Sequence, residues 1–62
     1  MSVRDDLIKQ ILTARTPDEI RAAYQAALRY LRVRDDYGVR AALESLAMLA
    51  IAEGVDLTPE RG

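Results

Sequence analysis

The segment Val39 to Ala52 is apolar on nearly every side of any helix it can form, with Arg40, Glu44 and Ser45 its only polar residues. A helix that is hydrophobic all round has to be buried all round. A chain of 62 residues has little other mass with which to do that. A domain of this size buries only about 60% of the surface its unfolded chain exposes, and small scaffolds compensate with disulfides, a metal or self-association. There is no cysteine and no histidine, which removes disulfides, thiolate sites and imidazole ligands. Self-association remains, so the expectation is a homo-oligomer.

Half of the residues are apolar, too many for a disordered chain. The longest uninterrupted apolar run is Leu46 to Ala52, far short of the ~20 residues a membrane span needs. Arg4 is followed at once by Asp5 and Asp6 rather than by an apolar stretch, so the N-terminus does not read as a secretory signal. The expected location is the cytoplasm. The formal net charge of -1 gives no global attraction to nucleic acid. Eight of the nine basic residues are arginine and ten residues are alanine, the usage of a GC-rich genome as much as of planar contact chemistry.

Three helices are expected. Ser2 followed by Asp5 starts the first, in which Val3, Leu7, Ile8, Ile11, Leu12 and Ala14 recur at helical spacing as the apolar face. Asp5 and Lys9 form an i,i+4 pair in the favourable order. Thr16, Pro17, Asp18 and Glu19 are the clearest local signal: a threonine cap, proline at the first helical position and a glutamate that closes the capping box. The second helix then presents Ile20, Ala23, Tyr24, Ala27, Leu28 and Leu31, with Tyr30 at one edge and Val33 near its end.

Asp35, Asp36, Tyr37 and Gly38 interrupt the pattern, since aspartate caps and glycine weakens a helix. One long helix through this point is the rival arrangement. At 100° per residue the apolar centre moves forward by about 80° across the interruption, whereas a coiled coil drifts backward by about 20° per heptad. A tight turn and an antiparallel return are therefore expected. The third helix runs from about Tyr37 to Glu53, with Gly54 as its terminating residue and Val55 as the accompanying apolar contact. Residues 1–57 make one helical domain and residues 58–62 a frayed tail. No alternating β-branched run reads as a strand. The expected fold class is all-α: a short N-terminal helix plus a helical hairpin, forming a homodimeric helical bundle.

On the third helix Val39, Ala42, Leu43, Leu46, Leu49 and Ala50 form a core face. Arg40 and Glu44 sit opposite it, spaced i,i+4. Ile51 falls on their side, about 20° from Arg40 in projection, and Met48, Ala41 and Ala52 fill one flank. Uncovered, these form an apolar patch of the kind that marks an interface; cover by the first helix is the competing arrangement. The expected oligomer interface comprises Ala41, Leu43, Ala47, Met48, Ile51 and Ala52, whose alanines allow close helix approach in a two-fold dimer.

Catalytic chemistry is scarce. Asp5–Asp6 and Asp35–Asp36 are adjacent pairs whose side chains point about 100° apart on a helix, and both lie where aspartate caps helices and meets the positive end of the helix dipole. No glycine-rich phosphate loop exists. No catalytic, cofactor-binding or metal residues are expected. The function expected is protein–protein interaction, as an adaptor, inhibitor or regulatory subunit that pairs with itself and with another protein. The alternative is a dimeric nucleic-acid-binding regulator. It rests on Arg21, Gln25, Arg29 and Arg32, which share the polar side of the second helix as a ridge able to meet phosphates, with Arg34 and Arg40 nearby. A solvated face with Asp18 beside Arg21 explains the same residues.

Overall fold

The computed structural model describes residues 2–57. They form α1 (Val3–Thr13), α2 (Pro17–Val33) and α3 (Tyr37–Glu53), with no strand among them. The tail expected at 58–62 lies outside the described residues.

The boundaries follow from short-range chemistry. Ser2 Oγ accepts the Asp5 N–H at 3.1 Å and opens α1. Thr16 Oγ1 accepts the Glu19 N–H at 3.1 Å, while Glu19 Oε1 accepts the N–H of Thr16 at 3.2 Å and of Arg15 at 2.9 Å. The capping box is complete, with Pro17 supplying the fixed φ of the first helical position. Residues 34–36 form the turn between α2 and α3, and Asp36 Oδ1 caps α3 by accepting the Val39 N–H at 3.2 Å. The two helices are thus separate. At the far end Gly54 adopts φ 71°, the left-handed region. The Gly54 N–H reaches the Ile51 carbonyl at 3.2 Å and the Val55 N–H reaches that of Ala50 at 2.8 Å, the paired bonds of a Schellman termination.

Each helix packs against the other two. The core is Leu7, Ile11 and Ala14 from the α1 segment, Ile20, Ala23 and Ala27 from α2, and Val39, Ala42, Leu46 and Ala50 from α3. Half of these are alanine. Ile20 and Val39 are the largest fully buried side chains. Tyr24, Tyr30, Leu31, Leu43 and Leu49 pack around the margin.

Several expectations are narrowed. On α1, Leu7 and Ile11 are buried and Ile8 is half-buried, but Val3 and Leu12 are exposed. The helix meets its neighbours along a narrow stripe, and Leu12 lies about 140° around the axis from Leu7. On α2, Val33 is exposed because the chain turns away directly after it. The Asp5–Lys9 pair does not form among the described residues. Asp5 lies 3.8 Å from the Arg4 guanidinium instead, and an exposed i,i+4 pair is too weak to impose one geometry.

Candidate functional site

The core leaves one side of α3 uncovered. Val39, Ala42, Leu46 and Ala50 point inward, so the opposite arc faces solvent. It carries Tyr37, Ala41, Glu44, Met48 and Ile51, all exposed. Tyr37 is 85%, Met48 68% and Ile51 75% accessible. α1 does not cover this flank.

Of the residues expected there, Ala41, Met48, Ile51 and Ala52 are exposed, whereas Leu43 and Ala47 are half-buried at the rim. Leu43 packs against the core. Ala47 lines a shallow groove with Tyr24, Ala50, Ile51 and Val55. Tyr37 and Glu44 belong to the exposed stripe as well. Their signal is the spacing: 37, 41, 44, 48 and 51 alternate four and three residues apart, the heptad repeat of a helix that meets another along a seam. Projection alone places Glu44 on this side; Tyr37, read only as a helix start, conceals its place in the repeat.

Arg21, Gln25, Arg29 and Arg32 are all exposed on α2. Arg21 approaches Asp18 at 3.4 Å. Among the described residues Arg29 and Arg32 make no ion pair. Arg40, one turn from the α2–α3 corner, pairs with Asp35 at 3.0 Å.

The most developed polar cluster lies at that corner. Arg4 Nε donates to Asp36 Oδ2 at 2.6 Å, and the Tyr30 hydroxyl approaches the same oxygen at 3.4 Å. Partial burial opposes ionisation of Asp36. The Arg4 hydrogen bond and the Val39 and Gly38 N–H groups outweigh it and hold the carboxyl below its ordinary pKa. The Asp36 hydrogen bond and charge raise the Arg4 guanidinium further. Glu19 is lowered by the Arg15 and Thr16 N–H groups it accepts. These perturbations have structural causes: Asp36 and Glu19 fix helix starts, and their partners are the chain's own backbone and Arg4.

Among the described residues no group of three or more acidic side chains is gathered as a metal site would need. No helix is long and apolar enough to cross a membrane. Fold and surface together define an all-α three-helix domain with an uncovered helical seam. No protein-family model matches the chain, and no curated protein or solved structure matches it.

Proposed function

We propose that this protein is a small protein–protein interaction module that acts as a homo-oligomer through the exposed side of α3, as an adaptor, inhibitor or regulatory subunit in the cytoplasm, without enzymatic activity or cofactor. The observation that carries this reading is the exposure of Met48 and Ile51 on a heptad-spaced stripe with Tyr37. Among the described residues five alanines make up half of the buried core, while seven large apolar side chains stay exposed. Burial of such surface is worth about 25 cal/mol per Å². Covering the stripe with a second copy supplies the apolar burial that a domain this small lacks on its own.

Sedimentation equilibrium at micromolar concentration tests it. The wild type is expected as a dimer or larger. Met48→Glu is expected as a helical monomer, because an unpaired charge buried in an interface costs about 3–5 kcal/mol. A wild-type monomer under these conditions overturns the reading.

A second reading has one observation in its favour: Arg29 and Arg32 extend from α2 with no acidic partner among the described residues. Paired across a dimer, they form a basic patch suited to phosphates. Asp18 beside Arg21 and the net charge of -1 weigh against it.

A further inference from the structure

The exposed stripe of α3 is apolar except at its centre, where Glu44 stands among Tyr37, Ala41, Met48 and Ile51. Among the described residues Glu44 has neither an ion pair nor a side-chain hydrogen bond. A carboxylate in the middle of a seam restricts which pairings that seam accepts, because a charge taken out of water without a partner is costly. Parallel pairing sets Glu44 beside its own copy, where like charges repel. Antiparallel pairing centred on Glu44 has the same fault. Antiparallel pairing that sets Ala41 against Ile51 lays each Glu44 on the partner's Met48, a carboxylate against an apolar side chain.

One antiparallel register avoids all three. It sets Tyr37 opposite Met48 and Ala41 opposite Glu44. The small Ala41 leaves room for the carboxylate. Arg40, one residue from Ala41, rests on Asp35 of its own chain at 3.0 Å in an exposed pair that holds only weakly; in this register its guanidinium flanks the partner's Glu44 and exchanges Asp35 for it. The two-fold axis repeats each contact, so the seam closes with two Arg40–Glu44 pairs and two contacts between the Met48 thioether and the Tyr37 ring, which attract each other. Ile51 extends past the start of the partner's α3 toward the turn after Val33, which is 81% exposed.

Resting on the self-association proposed above, we infer that two copies pair antiparallel along α3 in this register, with Arg40 of each copy neutralising Glu44 of the other. The seam is thereby selective for a second copy of this chain: it combines an apolar stripe with one central acid and a cation placed to meet that acid only in the antiparallel sense.

The absence of cysteine allows a direct test in the full chain. Tyr37→Cys with Met48→Cys in one chain places two thiols about 16 Å apart along their own helix, too far for an internal bridge. In the inferred register each thiol faces the other position of the partner. Mild oxidation should give a covalent dimer, whereas Met48→Cys alone, whose copies sit about 16 Å apart along the seam, should not. As a readout independent of the cysteines, Arg40→Glu and Glu44→Arg should each weaken dimerisation about tenfold, and the two changes together should restore it. A wild-type monomer in sedimentation overturns both the self-association and the register. If the wild type dimerises but the double-cysteine chain fails to cross-link between positions 37 and 48, or the charge-swapped double variant is no tighter than the single variants, the register is overturned and the self-association stands.

Discussion

Arg4, in the first turn of α1, binds Asp36, the residue that caps α3, at 2.6 Å across 32 positions of chain. One carboxylate thereby performs two tasks. Its Oδ1 starts α3 through the Val39 N–H, and its Oδ2 fastens the beginning of α1 to the same point. The termini of two helices and the hydroxyl of Tyr30 from the third converge on a single side chain, which fixes the corner opposite the Gly54 end.

That arrangement sets the acid sensitivity of the fold. Asp36 and Glu19 both have folded pKa values below their ordinary 3.8 and 4.5. The unfolded chain therefore takes up protons first as pH falls, and stability declines with acidification. The contribution is full above about pH 5 and is lost as pH falls below 4 and through the folded values. Arg4 is raised further above an already strongly basic range, so its contribution is present throughout the acid and neutral range and does not shape this dependence. Urea unfolding followed by circular dichroism from pH 7 to pH 2.5 should show the midpoint falling across the acid range. Asp36→Asn, which keeps a capping oxygen but loses the charge, should lower the midpoint at pH 7 and flatten the acid dependence. An unchanged acid slope in that variant would remove Asp36 from this role.

Gly38 sits in the first turn of α3, where helix propensity alone favours alanine by up to ~1 kcal/mol. A Cβ there runs into the Arg4 guanidinium and lies 3.3 Å from Asp36 Oδ1. The glycine is the clearance through which Arg4 reaches Asp36. Gly38→Ala in the wild-type background should therefore gain little or lose stability. In an Arg4→Ala background the same change should stabilise by about 0.5–1 kcal/mol. A double-mutant cycle by thermal unfolding checks this; equal effects in the two backgrounds would show that Arg4 does not depend on the glycine.

The nucleic-acid reading has its own discriminating outcome. Each neutralised phosphate adds about 0.9 to the slope of log affinity against log salt on duplex DNA. If the α2 ridge binds duplexes as a dimer, Arg29→Ala with Arg32→Ala removes about four contacts and should flatten the slope by about 3 to 4. Fluorescence anisotropy with a labelled random duplex between about 50 and 200 mM salt measures it. Helical circular dichroism should not change, since both residues are exposed. No wild-type binding at the low-salt end eliminates this reading. A slope indifferent to both substitutions transfers attention to Arg34 and Arg40.

What the sequence determined by itself lies within one or two helical turns. Thr16, Pro17 and Glu19 start α2, Asp36 starts α3, and Gly54 with Val55 ends it, because capping depends on a side chain and N–H groups two or three residues away. The buried residues Ile20, Ala23, Ala27, Val39, Leu46 and Ala50 were legible from 3.6-residue periodicity for the same reason. The exposed stripe was largely legible: helical projection puts Glu44 and Ile51 on the side away from the core and Met48 beside them, while the membership of Tyr37 emerges only once the start of α3 and its buried side are known. Tertiary structure decided the rest. It made the stripe of α1 narrow and left Val3, Leu12 and Val33 outside, because three helices share one small volume and an apolar residue away from the line of contact has nothing to meet. It also joined Arg4 to Asp36, a contact between residues far apart in the chain that no local spacing rule reaches.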